Sequence, residues 1–332
     1  MTSARLTRLV VACVATAALI VPASASALVV GIADQKPDMF YSPLFASLNV
    51  QYARVSVSWD AMEHPWETAE VDAWMDGARA AGVMPLVGFG HSRTNRRKLP
   101  TPSRFKYDFQ QFRKRYPWVT TFATWNEANH CGEPTCHRPE LVSSYYRSLR
   151  RACPKCTILG AELLDMPNMA SWVDQYQRHL GRRKSPRPRY WGLHNYLDAN
   201  RLRTTGTKTL LKHTTGQVWF TETGGIVKRR QTKNTVTFPE STAHAATATR
   251  WVFNKLVPLS RRITRVYLYQ WSSAKGENWD SGLVDLKGKG RPALTVVRSQ
   301  LKILQKRREA AARRQAESQP SSPSPSPSGS AS

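Results

Sequence analysis

The amino-acid sequence predicts a single α/β domain that folds as a (β/α)8 barrel. Eight short apolar runs recur along the chain, and amphipathic helical runs separate most of them. The apolar runs are rich in β-branched and aromatic residues, as strands covered on both faces should be. They occupy residues 28–33, 53–59, 83–89, 120–125, 157–163, 190–195, 217–221 and 265–271.

The segments between these runs show the spacing of helices that pack one face against a sheet. Val71, Trp74, Met75 and Ala78 follow the i, i+3, i+4, i+7 pattern of an amphipathic helix. Pro139 stands at a favoured first-turn position of another helix. Further helices are predicted at residues 102–116, 168–180, 241–256 and 293–305.

A doubly wound sheet is the alternative architecture for alternating strands and helices. Such a sheet normally carries a glycine-rich phosphate-binding turn after its first strand. In this chain the first predicted strand ends with the sequence Gly-Ile-Ala-Asp at residues 31–34, which is not a turn of that kind. The barrel is therefore the favoured prediction.

The N-terminal end of the chain is predicted to lie outside the barrel. Residues 1–27 have the features of a secretory signal, because Arg5 and Arg8 precede an apolar run at 9–21 and small residues follow at 25–27. The apolar run has about 13 residues, short of the roughly 20 that span a membrane, and an uncleaved anchor is the alternative. The mature protein is thus expected to be secreted, without a transmembrane segment.

The C-terminal end is also predicted to lie outside the barrel. Serine and proline dominate residues 319–332, a composition that cannot bury a core and that predicts disorder. Residues 306–318 are rich in charged residues and alanine and predict a helical extension. The catalytic barrel is accordingly expected to span residues 28–305, a length that fits one large α/β barrel.

The chain has a net charge of +26, from 49 basic and 23 acidic residues. A field of this sign favours anionic partners, so electrostatic association with an anionic cell envelope or cell wall is one expectation. Nucleic acid is disfavoured as a partner, because the basic residues are spread along the chain. In addition, no helix-turn-helix, RNP or zinc-finger pattern appears in the sequence.

Four of the five cysteines lie within the predicted barrel, and an even number in an exported chain suggests disulfide bonds. Pairing between sequence neighbours is one of the three connectivities that four cysteines allow. A zinc site is an alternative, because His130 and His137 flank the first pair. The four residues are Cys131, Cys136, Cys153 and Cys156.

Two glutamates stand where predicted strands end, and strand ends build the active sites of such barrels. Glu127 follows the fourth strand in Thr-Trp-Asn-Glu-Ala-Asn, and Glu222 follows the seventh in Phe-Thr-Glu-Thr-Gly-Gly. Retaining glycoside hydrolysis requires at least two carboxyl groups on one rim. One of them protonates the departing oxygen and the other attacks the sugar carbon. The expected separation of the two carboxyl groups is about 5–5.5 Å.

Polar and aromatic residues stand near the ends of the other predicted strands. Arg54 lies on strand two, which ends at Trp59, and His91 follows strand three. The remaining members of this set are Asn126 on strand four, His194 and Tyr196 on strand six, and Trp271 on strand eight.

The order of these residues resembles the retaining glycoside hydrolases of clan A, in particular the TIM barrels of families 5 and 39. The resemblance covers about residues 28–305 and includes the segment Ser-Gly-Leu-Val-Asp at 281–285. It implies that Glu127 is the acid/base and that Glu222 is the nucleophile. It also implies that substrate is bound by Arg54, His91, Asn126, His194, Tyr196 and Trp271, with no cofactor and no metal.

Aromatic rings at the rim are expected to pack on the apolar faces of sugars. Trp59, Trp125 and Trp271 are the candidates, although core packing is equally consistent with the first two. Asp280 lies in the loop after strand eight and is expected to contact substrate.

Other interpretations stay open for several of these residues. Glu162 and Asp165 end strand five and are rival carboxylates, but no asparagine precedes Glu162, so we expect it to be a supporting group. His91 and His194 could be ordinary buried histidines. Glu127, like Glu222, could be an ion-pair partner in an arginine-rich protein.

The predicted activity is the hydrolysis of O-glycosidic bonds in a poly- or oligosaccharide. The basic residues at 228–233, which follow Glu222, indicate that this polysaccharide could be acidic. A non-catalytic carbohydrate-binding barrel and an envelope-associated adhesion protein are the alternatives. The sequence leaves open the sugar, the linkage, endo or exo action, and hydrolysis as opposed to transglycosylation.

Overall fold

The computed structural model describes residues 28–230 and 238–317 of the 332-residue chain. The predicted signal at 1–27, the predicted tail at 319–332 and part of the basic segment after Glu222 lie outside the described residues.

Eight parallel strands form a barrel, as the sequence predicts. In the sheet each strand pairs with its neighbours in chain order, and the first pairs with the last. The strands are β1 (Val29–Ala33), β2 (Tyr52–Ser58), β3 (Met84–Gly90), β4 (Thr121–Ala123), β5 in two segments (Thr157–Leu159 and Glu162–Leu164), β6 (Tyr190–His194), β7 (Gln217–Thr223) and β8 (Ile263–Tyr269).

The break in β5 is the place where the barrel closes. Its first segment pairs with β4 and its second segment pairs with β6. At the break, the Gly160 amide donates to the Tyr190 carbonyl at 2.9 Å, and the Glu162 amide donates to the Trp125 carbonyl at 2.9 Å. The two segments therefore act as one strand that is hydrogen-bonded to both neighbours.

Helices cover the outside of the barrel and connect successive strands. Several begin with proline, which suits the first helical turn because it lacks the amide donor that would stay unpaired there. The long helices are α1 (Pro65–Ala80), α2 (Pro102–Arg115), α3 (Pro139–Ala152), α4 (Met169–Arg182), α5 (Thr205–His213), α6 (Thr242–Trp251) and α7 (Pro292–Glu317). Only the short helices Pro37–Tyr41 and Pro43–Ala46 follow β1.

The apolar side chains form two separate clusters. The larger cluster fills the layer between strands and helices, and a smaller cluster around Leu86, Trp219 and Tyr267 fills part of the barrel interior. The interior turns polar toward the C-terminal ends of the strands. Gly88, two residues beyond Leu86 on β3, faces the side chains of Arg54 and Glu162. This change of polarity places charged groups at the rim where such barrels build active sites.

Two disulfide bonds join sequence neighbours, which confirms that connectivity. Cys131 pairs with Cys136 at a Cα–Cα distance of 4.8 Å, and Cys153 pairs with Cys156 at 5.3 Å. The zinc alternative does not fit, because the two thiols it would use are bonded to each other. Among the described residues, no helix is both long and apolar enough to cross a membrane.

Candidate active site

Arg54 is the central cation of a polar cluster at the C-terminal end of the barrel. It projects from β2 and is 1% exposed. Its Nε and Nη2 atoms each donate to Glu162 at 2.6 Å, and Nη1 donates to Glu222 at 2.5 Å. Nη2 also donates to Asn126 Oδ1 at 2.7 Å. One guanidinium thereby links side chains from β4, β5 and β7.

Glycines make the space for this cluster. A Cβ atom on Gly88 would lie 2.5 Å from Glu162 Oε2, and one on Gly192 would lie 2.7 Å from Glu162 Cγ. Both distances are shorter than real contacts allow, so the absence of a side chain on β3 and β6 is what admits Glu162 to the interior.

Glu222 is held at the end of β7 by a donor on each of its oxygens. Arg54 donates to Oε1, and the Tyr196 hydroxyl donates to Oε2 at 3.0 Å. The glutamate is 8% exposed, so its carboxylate retains a narrow open side while its orientation is fixed. A carboxylate fixed in this way suits an attacking group.

Glu127 leaves β4 in an unusual backbone conformation. Its φ is +42°, in the left-handed region that non-glycine residues seldom adopt and that costs of order 1–3 kcal/mol. The conformation is held by neighbouring backbone hydrogen bonds, since the Asn126 amide donates to Phe89 O at 2.6 Å and the Ala128 amide donates to Glu162 O at 2.9 Å. Strain of this kind that directs a carboxylate toward a cleft is typical of functional sites.

His194 lies between the two glutamates. Its Nδ1 atom is 3.1 Å from Glu127 Oε1 and 3.8 Å from Glu222 Oε2. One oxygen of each glutamate and one ring nitrogen of His194 all lie within 4.8 Å of one another. The carboxyl groups are thus close, nearer to the retaining distance of about 5–5.5 Å than to the inverting distance of about 6.5–9.5 Å.

The charged groups of the cluster determine whether His194 or Glu127 carries the proton that the two side chains can share. Burial by itself would lower the pKa of His194, but Glu222, Glu127 and Glu162 outweigh it and raise that pKa to about 9. Burial by itself would raise the pKa of Glu127, but the hydrogen bond with His194 lowers it below the ordinary value. Both shifts favour a protonated His194 beside an ionised Glu127. A raised pKa for Glu127, which its expected role as acid requires, is not found in this state.

A metal ion is disfavoured at this cluster on the chemistry of its donors. Glu127, His194 and Glu222 offer ligand-type atoms close together. However, the guanidinium of Arg54 already lies 2.5 Å from Glu222 and would repel a second cation.

His91 lies beside the cluster and has a partner that the sequence analysis missed. It lines a cavity of about 680 Å³ together with Asn126 and Gly90. Its Nδ1 atom is 2.6 Å from Glu133 Oε1, and the Trp125 indole donates to Glu133 Oε2 at 3.0 Å. Glu133 lies inside the Cys131–Cys136 loop, so the disulfide loop supports the position of His91.

None of the three predicted sugar platforms is available as a surface. Trp59 is 2% exposed and Trp271 is 3% exposed, so neither ring presents an open face. Strand β8 ends at Tyr269 instead of 271, and Trp271 turns away to pack edge-on against Phe45 at 5.6 Å. Asp34 fixes this turn, because its Oδ2 atom accepts from the amides of Trp271 at 2.9 Å and Ser272 at 3.2 Å. Trp125 is also fully buried.

The ring that does stand at the rim is Trp279. It is half-buried and meets Tyr196 edge-on at 5.0 Å. Tyr269, at the end of β8, lies close enough to Glu222 that burial and the carboxylate together raise the pKa of its hydroxyl well above the ordinary value. Strand alternation from Tyr267 could have identified Tyr269, whereas the position of Trp279 depends on loop geometry.

Asp280 is engaged in an ion pair instead of pointing into the cleft. Arg291 donates to its two oxygens at 2.6 and 2.9 Å. The pair stabilises the small antiparallel sheet in which Trp279–Asp280 pairs with Lys228–Arg229. The ion pair holds Asp280 beside Trp279, and direct contact with substrate stays a prediction.

The rival carboxylates of strand five are both buried. Glu162 is 0% exposed and fully occupied by Arg54. Asp165 accepts from the amides of Leu197 at 3.1 Å and Asp198 at 2.7 Å and so anchors the segment after β6. Neither carboxylate faces the cleft, which leaves Glu127 and Glu222 as the accessible pair.

No protein-family model matches the chain, and no curated protein matches it. Solved structures do match its fold. A glucosidase from Croceicoccus marinus superposes with a TM-score of 0.60 at 12% identity, covering 84% of this chain and 68% of that one. A psychrophilic family 10 endo-β-1,4-xylanase gives 0.59 at 14% identity, with 82% and 96% covered.

A third match is the family 128 endo-β-1,3-glucanase of Amycolatopsis mediterranei. Its TM-score is 0.55 at 13% identity, with 82% of this chain and 98% of that chain covered. At such low identity these likenesses establish the fold alone. The chain has the TIM-barrel fold found in the clan A glycoside hydrolases.

Proposed function

We propose that this protein is a retaining glycoside hydrolase in which Glu222 is the nucleophile and Glu127 the acid/base. The observation that carries the proposal is the arrangement around His194. Two accessible carboxylates from β4 and β7 have an oxygen each within 4.8 Å of one another. Arg54 and Tyr196 hold one of them and His194 contacts the other. The glycosidase structures that share the fold support the same reading.

In the first step the Glu222 carboxylate attacks the anomeric carbon and the glycosidic bond breaks. Arg54 and Tyr196 fix the carboxylate, so little reorganisation is needed when the new bond forms. Asn126, which Arg54 holds at 2.7 Å, is in position to hydrogen-bond the sugar 2-hydroxyl. The covalent intermediate removes the negative charge of Glu222, which leaves Arg54 paired to Glu162 alone.

The leaving oxygen must take a proton at the same time, and the pair of Glu127 and His194 supplies it. Before a glycan binds, the raised pKa of His194 favours the proton on the imidazole. A bound glycan excludes water, and a neutral acid beside a neutral imidazole is then favoured over a buried ion pair. Glu127 is thereby protonated when substrate is in place, and it takes the proton back from water in the second step.

The substrate is proposed to be a neutral glycan. Three carboxylates surround one guanidinium and one histidine at the proposed reaction centre, and this local excess of negative charge disfavours an anionic sugar there. In the described part of the basic segment, Arg229 is already engaged, because it lies over Phe238 at 4.3 Å and 3.9 Å from Glu240. An acidic polysaccharide is therefore not preferred. We also propose that the mature protein is secreted, as the disulfides are typical of exported chains.

The test is to incubate the mature protein with β-1,3-glucan, β-1,4-xylan, β-1,4-mannan and acidic polysaccharides. Released reducing ends and the anomeric configuration of the first product are measured, the latter by NMR. We expect release with retained configuration from a neutral glycan. Glu222→Gln should lower the rate by about 10⁴-fold or more, as for loss of other covalent nucleophiles. Glu309→Gln, an exposed glutamate on α7, is the matched control.

Two outcomes would contradict the proposal. Inverted product would mean that water, not Glu222, attacks the sugar. Failure to cleave any glycan, with equal glycan binding by wild type and Glu222→Gln, would favour a non-catalytic carbohydrate-binding barrel.

A further inference from the structure

A cluster of basic side chains lies on the barrel face opposite the candidate active site. Helices α3 and α4 run from the rim toward the strand starts, so their C-terminal ends lie at the N-terminal face of the barrel. Between these two ends is a cavity of about 260 Å³. We name it the arginine pocket, after its lining cations, which are Arg147, Arg150, Arg151, Arg183 and Lys184.

No carboxylate lines the arginine pocket in the part of the chain that the structure describes. Arg150 donates to the Tyr146 hydroxyl at 3.4 Å. For the side chains of Arg147, Arg151, Arg183 and Lys184, the described residues provide no hydrogen-bond acceptor or ion-pair partner. The pocket therefore concentrates positive charge without an internal counter-charge.

Arginines with a structural role in this protein make several close contacts with acceptors of the protein itself. Arg115 pairs with both oxygens of Asp72, and Arg262 donates to the carbonyls of Leu211, Thr214 and Gly216. The arginines of the pocket lack such partners. Cations near a helix C-terminus do complement the helix dipole, but that effect is worth only about 0.3–1 kcal/mol at the surface. It does not require several guanidinium groups around one cavity.

The cations of the pocket repel one another. Burial, with the nearby charges of Arg151 and Arg183, lowers the pKa of Arg147. Burial and the nearby charge of Arg183 likewise lower the pKa of His179 on α4. An anion in the pocket would relieve this repulsion, since each guanidinium offers a planar fork that matches phosphate oxygens.

We infer that the arginine pocket binds the phosphate groups of an anionic polymer, and that it anchors the protein while the opposite face remains open to glycan. A polymer is favoured over a single anion because exposed cations continue beyond the pocket at Arg182, Arg187 and Arg189. Nucleic acid is disfavoured, because the one aromatic ring lining the pocket, Tyr146, is buried and offers no base-stacking surface. The inference is independent of the glycosidase reaction.

The experiment measures binding of fluorescently labelled linear polyphosphate to the mature protein at a series of NaCl concentrations. The pocket variant combines Arg147→Gln, Arg150→Gln, Arg151→Gln and Arg183→Gln. The control variant makes the same charge change on the exposed end of α7, with Lys306→Gln, Arg307→Gln, Arg313→Gln and Arg314→Gln. We expect the pocket variant to bind about tenfold or more weakly and to lower the salt slope by about three, and the control to change much less.

Equal losses in both variants would overturn the inference, because net charge alone would then explain binding. Duplex DNA that binds as tightly through the same residues would overturn the choice of polymer. Hydrolysis of soluble glycan and the melting temperature should stay unchanged in the pocket variant, which separates this test from that of the catalytic proposal. If the fourfold variant does not fold, charge reversal at the exposed Arg151 and Lys184 replaces it and should abolish binding.

Discussion

Arg54 and Glu162 form a two-pronged ion pair that is sealed inside the barrel, with both N–O distances at 2.6 Å and both side chains 0% exposed. A third nitrogen of the same guanidinium reaches Glu222. The pair therefore couples the stability of the barrel to the position of the proposed nucleophile.

We predict that Glu162→Gln destabilises the protein strongly. The amide keeps the shape of the side chain but leaves the buried guanidinium without a full counter-charge, and breaking such pairs costs about 3–5 kcal/mol. Urea unfolding followed by circular dichroism measures the change. Glu317→Gln, at the exposed end of α7, is the control and should have no effect. A loss under about 1 kcal/mol would mean that solvent reaches Arg54 in solution.

The acid stability of the protein should depend on the same carboxylate. Burial would raise the pKa of Glu162, but Arg54 outweighs it and lowers that pKa to about 2. Because the pKa is depressed on folding, the contribution is present above the unfolded value of about 4.3 and is lost as pH falls toward 2. Unfolding free energies measured from pH 5 to pH 2 should fall steeply in wild type and less steeply in Glu162→Gln. Parallel curves would contradict this assignment.

The alkaline limit of activity should follow His194. Its pKa is raised to about 9, so the proton that Glu127 needs is retained below that pH and lost above it. The stabilisation from the charged imidazole is likewise fully present below about 6.5 and is lost as pH rises through about 9. We expect kcat/KM to decline near pH 9 in wild type. In His194→Gln the alkaline decline of kcat/KM should shift to another pH. A decline that stays near pH 9 in this variant would mean that another group causes it.

Gly88 should tolerate no side chain. In Gly88→Ala the new methyl group would meet Glu162 Oε2 at 2.5 Å and Arg54 Nη2 at 3.2 Å, and overpacking of this kind costs about 1–3 kcal/mol. Gly181→Ala is the matched control, because nothing lies within 4 Å of its position on α4. Alanine there should be neutral or stabilising by up to about 1 kcal/mol. Thermal unfolding of both variants checks the contrast, and equal melting temperatures would refute it.

Trp279 is predicted to bind a sugar ring beside Tyr196. Its loss in Trp279→Ala should raise KM by up to about tenfold with a smaller change in kcat, since stacking contributes about 0.5–1.5 kcal/mol. Tyr107→Ala, which removes a ring that is 52% exposed on α2, is the control and should leave both constants unchanged. A fall in kcat without a change in KM would instead indicate that Trp279 only positions Tyr196.

The positions of the two glutamates and of Arg54 could be predicted because the ends of the strands can be recognised in the sequence. Apolar runs rich in β-branched and aromatic residues identify each strand, and parallel strands bring their C-terminal ends to one rim. Glu162 was expected to be a supporting group because no asparagine precedes it, and in the structure both of its oxygens accept from Arg54. The even number of cysteines in the barrel allowed three pairings, and only the folded chain could decide for the pairing of neighbours.

The aromatic platforms could not be predicted in the same way. Trp59 and Trp271 have the right residue type next to strand ends, yet both are buried, and Trp279 stands at the rim from a loop. The direction of a side chain beyond a strand end depends on the path of the loop. In this protein Asp34, from the far end of the chain, fixes that path after β8. The net charge of +26 likewise does not reveal that Glu127, Glu162 and Glu222 gather around one arginine and one histidine.

By itself, the sequence determined the barrel, the order of its strands and the pair of carboxylates at its rim, because periodicity and strand direction are local properties of the chain. Only the tertiary structure decided which oxygen meets which donor, where the proton rests and where the basic residues gather. Those outcomes depend on distances between groups far apart in sequence, such as Arg54 and Glu222, and on a buried environment in which such charges interact strongly.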